Sequence, residues 1–231
     1  MVITAVQDAS IKTVVQAAAK VTVDLSGQIW LHLSGALPAS ALSPLAERVR
    51  GIGAFHPAQA FPPGRITPIR KETVFGIDGN EPALHLMNVL AARLGSQTLV
   101  VPPKMRPLYH AACVLASNAL LGVLAEATEV LRAADADPKD ASRLLLGLAS
   151  GAIERAKEDG LAAALTGPVQ RGDAPTVTAH IHALSSHEQA ARLYRETARS
   201  IVRLAQSAGR TDSTDLRLIE SLLKDVNRKL P

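Results

Sequence analysis

QTLVVPPKMRPLYHAACVLASN, Gln97 to Asn118, is where the character of the chain changes. Through Val101 it reads as a strand rich in β-branched residues, two prolines close it, and from Pro107 the apolar residues recur at helical spacing. Upstream of this point, short apolar runs alternate with helical patterns: MVITAV, then Ile11, Val14, Val15 and Ala18 behind a cap at Asp8, then QIWLHL and GIGAF. TVFGI and QTLVVP follow as strands on either side of a helix over 82–94, which Asn80 is placed to cap. Strands alternating with helices imply a parallel sheet. Downstream no strand signal remains, and the periodicity predicts helices near 107–135, 138–159, 174–184, 187–208 and 214–229. The expected fold class is α/β followed by all-α, with one domain over 1–103 and a second over 104–231.

Composition narrows the function. Hydrophobic residues make up 47% of 231 and no low-complexity tract occurs, so the chain is long enough and apolar enough for substantial cores. The net charge of +4 is scattered, and aromatics at 3% cannot supply stacking platforms, which argues against nucleic acid. Cys113 is the single cysteine, which fits a reducing cytoplasm and excludes an intrachain disulfide. The start has no signal-peptide pattern, and Ser117 and Asn118 interrupt the longest apolar run, so neither export nor membrane insertion is expected.

In an open parallel sheet, ligands bind beyond the carboxyl ends of the strands. That singles out HLSGAL, His32 to Leu37, and FHPAQAF, Phe55 to Phe61. The helix from Pro107 adds three polar residues in apolar company, His110, Ser117 and Asn118. His110 and Ser117 fall on one face about 10 Å apart, with Cys113 and Val114 between them, so the stripe can line a cleft. The same residues equally fit buried groups bonded to backbone carbonyls. A neutral His110 near the helix start would serve as an electrophile or weak acid. Arg106, held at the helix entrance by the following proline, is placed to clamp a substrate carboxylate. Ser34 and Gly35 can present a hydroxyl and an amide, or form an ordinary turn. DADPKD lacks the glycine of a calcium loop and reads as a cap at Asp137, and His180 and His182 point to opposite sides of their helix, so no metal site is expected. TGPVQRGD, Thr166 to Asp173, is a connection with Asp173 as a cap.

Taken in order, HLSGAL, FHPAQAF, FGIDG, LYHAACVLASN and ALTGPVQRGD resemble a family of Rossmann-like proteins assigned as oxidoreductases that end in an uncharacterised helical domain. That family is grouped with 6-phosphogluconate dehydrogenase, ketopantoate reductase, pyrroline-5-carboxylate reductase and prephenate dehydrogenase. The resemblance implies a partial Rossmann-type sheet, an NADP or NAD cofactor, and a small carbonyl or imine substrate carrying a carboxylate. It places His110, Ser34, Ser117 and Asn118 at the reacting group, Arg106, His56, Gly35 and Arg171 around the substrate, and His32, Ser34 and Gly35 toward the cofactor. It also implies a homodimer through residues 107–208.

One part of the pattern is missing. The only GxG, Gly51-Ile52-Gly53, leads into His56-Pro57 rather than a helix, so no GxGxxG loop is present. MVITAVQDASI matches the fourth strand of the dinucleotide domain, and roughly 65–70 residues of two βα units and a strand would precede it. Two functions follow as expectations: an oxidoreductase impaired in cofactor binding, or a non-catalytic helical module for dimerisation or small-molecule binding.

Overall fold

The computed structural model describes residues 1–209 and 211–224, which divide into two compact units, Met1–Ala119 and Leu120–Pro231. The boundary falls after Ala119 rather than after residue 103, because side chains at the start of the first long apolar helix are tied into the sheet.

In the first unit, β1 (Val2–Thr4), β2 (Ile29–His32), β3 (Gly51–Pro57), β4 (Val74–Gly79) and β5 (Gln97–Val100) form one sheet in sequential order. All five strands stand where the apolar runs put them. The sheet is mixed rather than all-parallel: β1–β2, β2–β3 and β4–β5 pair parallel, while β3 and β4 run antiparallel with His56 opposite Gly76. The reason lies in the connection, since residues 58–73 contain no crossover helix and the chain simply turns back.

Helix α1 (Asp8–Ala18) buries Ile11 and Val15 against Leu42 and Leu45 of a 3₁₀ segment, Ala39–Leu45. Helix α2 (Glu81–Arg93) buries Ala83, Met87 and Ala91 against Leu31, Phe55, Phe75 and Ile77. The Phe55 and Phe75 rings stack at 4.2 Å. Here the GxG has its structural role: a Cβ on Gly53 would lie 2.9 Å from both Leu31 and Met87, so glycine lets α2 settle on the sheet.

Two expected caps are corrected. Asp8 is the first residue of α1 rather than its cap, and its carboxylate accepts from Ser34 Oγ. Asn80 stands at the cap position of α2, but its side chain accepts from Ile52 N–H and donates to Arg50 O, joining strands instead.

The apolar stretch after the sheet is two helices, α3 (Arg106–Ala116) and α4 (Asn118–Ala133), broken at Ser117, where φ is −123° and ψ −73°. Leu108, Val114, Leu115 and Leu121 are exposed. By length and composition, Pro103–Ala133 reaches the range of a membrane span, with a mean hydropathy of 1.6.

The second unit holds most of α4, then α5 (Pro138–Asp159), α6 (Leu161–Ala164), α7 (Ala174–Ala183), α8 (Glu188–Ala208) and α9 (Ser213–Lys224). Its core follows helical spacing: Ala198, Val202 and Ala205 of α8 meet Leu216, Ile219 and Leu223 of α9, with Val177 of α7. Arg195 and Arg199 of α8 donate to Leu222 O and Leu223 O in the last described turn of α9. Asp137 and Asp173 cap α5 and α7 as expected, accepting from Lys139 and Asp140 N–H and from Thr176 N–H. The helix expected over 214–229 is seen to Lys224, and its remaining residues lie outside the described ones.

Candidate functional site

The site begins with one buried ion pair. Asp78 on β4 is an acid in a strand buried on both sides, where a charge needs a partner. Arg106, fully buried at the start of α3, donates through Nε to Asp78 Oδ2 at 2.6 Å and through Nη2 to Ala54 O and Gly76 O at 3.3 and 3.1 Å. The other Asp78 oxygen accepts from Ala39 N–H at 2.8 Å. One arginine therefore pins α3 to β3 and β4, and its acid pins the segment after β2. This corrects the expectation for Arg106, whose guanidinium is an internal strut and reaches no ligand.

From that anchor, α3 carries Tyr109 onto Gly76, where a Cβ would collide with the phenol. The Tyr109 hydroxyl lies 2.8 Å from His56 Nδ1, the ring across the β3–β4 pair. His56 points away from Phe55 because side chains alternate along a strand, so it emerges half-buried while Phe55 enters the core. His110, the next residue on α3, meets His56 edge to face at 5.7 Å and 84°. Both rings close over Gly35: a Cβ there would fall 2.9 Å from His56 Nε2 and closer still to His110 Nδ1. Glycine at 35 is what allows the two histidines to meet the turn after β2. His110 Nδ1 is buried with no hydrogen-bond partner among the described residues.

Beside this cluster lies a cavity of about 550 Å³. Its walls are Ala58 to Pro62 of the loop after β3 together with His56, and His110, Cys113, Val114 and Ala116 to Asn118 of α3 and its end. Burial pulls the His56 imidazole down to about 4, with His110 and then Arg106 adding to the shift, so the ring is neutral at pH 7. Burial pushes the Tyr109 phenol up to about 12, with Cys113 beside it contributing next, so the hydroxyl keeps its proton.

The expected residues sort accordingly. His56, His110, Ser117 and Asn118 line one cavity, with Gly35 behind the two rings. Ser117 Oγ is occupied, donating to Cys113 O and Asn118 Oδ1. Ser34 is buried in the turn, its hydroxyl donating to Asp8 at 2.7 Å and accepting from Ala36 and Leu37 N–H, and it does not line the cavity. His32 is fully buried, with Nδ1 accepting from Ser34 N–H and Nε2 donating to Pro38 O, so both nitrogens are saturated within the protein. It cannot offer either to a cofactor. Arg171 belongs to the second unit and pairs with Asp173 at 3.8 Å. His180 Nδ1 lies 3.0 Å from Tyr194 Oη, and among the described residues no group of three metal-binding side chains forms.

Tyr109 and Asp78 were missing from the expected set. Asp78 was signalled by an acid inside an apolar strand. Tyr109 was signalled only by standing next to His110.

The dinucleotide expected by resemblance needs glycines and free amides at a helix N-terminus for its pyrophosphate. The turn from β1 into α1, Ala5 to Gln7, has no glycine, and the Asp8 carboxylate stands in the first turn. Gly51 and Gly53 lie inside β3 under α2. The described residues do not fit a pyrophosphate.

A Rossmann-like α/β unit with a histidine-lined cavity at its strand ends, followed by helices, defines the class. The chain belongs to the family described as a domain of unknown function, DUF2520, whose model matches residues 73–201, more than half of it. Among solved structures it is similar to the protein TM1727 from Thermotoga maritima, at 24% identity over 90% of this chain and 79% of that one, with a TM-score of 0.76. It is also similar to BF3122 from Bacteroides fragilis, named a putative NADP oxidoreductase, at 22% identity over 86% and 73% of the two chains, with a TM-score of 0.66. At these identities the likeness shows the fold. No curated protein matches the sequence.

Proposed function

We propose that the first unit carries the substrate site of an NAD(P)-dependent oxidoreductase of the 6-phosphogluconate dehydrogenase-like group, taking a small carbonyl or imine compound in the cavity beside His56 and His110. The observation that carries this is the convergence of His56 and His110 on the turn after β2, with the Tyr109 hydroxyl on the far side of His56, at the strand ends where such folds bind ligands.

In this reading the protonated Tyr109 hydroxyl donates to His56 Nδ1, which puts the ring hydrogen on Nε2. A neutral imidazole in that tautomer is a hydrogen-bond donor that polarises a carbonyl or imine without carrying charge. The test is ligand-detected NMR with small aldehydes, ketones and cyclic imines, read on the His56 and His110 ring signals. Saturable shifts in both rings are expected, and binding that leaves both untouched would remove the site.

NADP comes into this reading through the fold shared with BF3122, and hydride transfer is the chemistry such a cofactor supplies when bound. Because the described residues lack a pyrophosphate seat, calorimetry should find NADPH binding weak or undetectable. The loss of two charge-assisted contacts is worth roughly 3–6 kcal/mol, or two to four decades in affinity. Micromolar binding would show a seat built from other residues. A second reading is a small-molecule-binding module without catalysis, which predicts ligand binding but no NADPH turnover with any bound carbonyl.

The partner in either case is a second copy. From Pro107 to Ala125 the chain has no charged residue, yet Leu108, Leu115 and Leu121 are exposed, and Leu144, Leu146 and Leu148 are exposed apolar residues further along the chain. An uncharged apolar face is self-complementary and presents no like charges to its copy. Light scattering at micromolar concentration should give a dimer, and a monomer would overturn this. A reducing cytoplasm suits the half-buried free thiol of Cys113.

A further inference from the structure

We infer that the cavity selects uncharged, largely apolar carbonyl compounds and discriminates against carboxylates; this rests on the substrate site proposed above and narrows it. Among the described residues that line the cavity none is Lys, Arg, Asp or Glu. Phe61, Pro62 and Val114 make apolar wall. The nearby guanidinium on which a carboxylate clamp would depend is Arg106, and it is sealed: its Nε and Nη2 are bonded to Asp78, Ala54 O and Gly76 O, and its remaining Nη1 is itself inaccessible. Its charge is already opposed by Asp78 at 2.6 Å.

Polar capacity in the cavity is correspondingly small. Gln59 donates to Pro68 O and accepts from Arg70 N–H and Thr73 Oγ1, which ties it to its own loop. Ser117 is bonded to Cys113 O and Asn118 Oδ1. What remains for a ligand is the histidine pair and the Asn118 amide, enough to satisfy one carbonyl group. A carboxylate entering here would lose part of its hydration and find no cation in return. His56 cannot easily become that cation, since burial beside His110 and Arg106 already disfavours its charged form. A neutral ketone or aldehyde loses little water and gains contact with the apolar wall.

Matched pairs test this on the full chain: phenylacetone against phenylpyruvate, and 4-methylpentan-2-one against 4-methyl-2-oxopentanoate, each differing only by methyl in place of carboxylate. Titrations at pH 7.5, read on the His56 and His110 rings, should show the ketone binding at least ~10-fold more tightly in each pair. The exposed wall residue Val114 tolerates a long side chain, so V114R should narrow or reverse the ratio while leaving the fold intact. Equal or tighter binding of the 2-oxo acids would overturn the selectivity and leave the substrate site standing. Failure of both classes to shift the histidines would overturn the site and the selectivity together. A ratio that V114R does not move would place the discrimination outside this cavity and defeat the assignment.

Discussion

Arg106 and His110 stand one turn apart on α3, and the two ends of this short helix serve opposite purposes. At the first turn every wall of the Arg106 pocket is protein, and the guanidinium is consumed by Asp78 and two strand carbonyls. At the second turn the side chains lean on the sheet from one side and face a cavity from the other, and His110 Nδ1 stays unpartnered. Arg106 Nη1 is likewise buried without a partner, so what separates the two is access: a conspicuous polar residue near a strand end is a strut when no cavity reaches it and a candidate site residue when it lines one. The neighbouring turn repeats the contrast: Ser34 and His32 are saturated, while Gly35 has its importance only through the rings it admits.

The largest effect expected from this contrast is at the strut. R106M leaves the Asp78 carboxylate buried without its cation and should destabilise the first unit by about 3–5 kcal/mol in urea unfolding. Adding D78N to R106M should recover part of that loss, because the uncompensated charge goes with it. A cost below about 1 kcal/mol for R106M would mean that the guanidinium is not holding α3.

Next comes Gly35. G35A drives a methyl into His56 Nε2 and His110 Nδ1, and the rings must separate, an overpacking cost of about 1–3 kcal/mol. Ligand shifts on both histidines should weaken with it. Gly122 of α4 is the control, because a Cβ there meets nothing within 4 Å. G122A should stabilise the second unit by up to about 1 kcal/mol through helix propensity alone. If G35A binds ligands as the wild type does, the two rings do not depend on their close approach to the turn.

How much of this was legible follows from which forces act locally. The five strands and the helices were readable because apolar periodicity and prolines are local signals, as QTLVVPPK shows. The antiparallel return of β4 was not, since it depends on what residues 58–73 fail to form. LYHAACVLASN left a cleft-lining stripe and buried groups both open, because hydropathy cannot tell a helix buried in its own chain from one whose apolar face stays exposed. His110, Ser117 and Asn118, grouped by spacing along one stretch of chain, share a cavity with His56, whereas Ser34, grouped with them, does not line it. Arg106 was misjudged because its partner, Asp78, lies 28 residues away in sequence, and nothing in the local pattern links the two.

Acid should be felt at the site end through His56. His56 is pulled down to about 4 in the folded protein and has an ordinary value near 6.5 when unfolded. The unfolded chain therefore binds the extra proton first, and stability should fall as pH drops from about 6.5 toward 4, with no contribution from this group above that window. His110, Arg106 and Asp8 are the charged or titratable groups acting on it, and Tyr109 stays neutral throughout. H56Q should flatten this limb of the pH–stability curve. An unchanged limb in H56Q would show that other histidines produce it.

The smallest effect in energy is the one that reports most directly on the proposed chemistry. Y109F removes a single oxygen 2.8 Å from His56 Nδ1 and leaves the ring that packs on Gly76. The loss should be only about 0.5–1.5 kcal/mol, the ordinary worth of one hydrogen bond. The consequence for His56 is larger than that figure suggests, because the hydroxyl is what fixes the hydrogen on Nε2. Without it Nδ1 is free to carry the hydrogen, and the ring loses its enforced role as a donor on the other side. Nitrogen chemical shifts of the wild-type imidazole at pH 7.5 should report a single Nε2–H tautomer, and those of Y109F a mixture. Carbonyl ligands should then bind Y109F several-fold more weakly although the fold is almost unchanged. A wild-type ring already in the Nδ1–H form would reverse the hydrogen bond, make Tyr109 the acceptor, and leave His110 as the only histidine able to donate to a bound carbonyl.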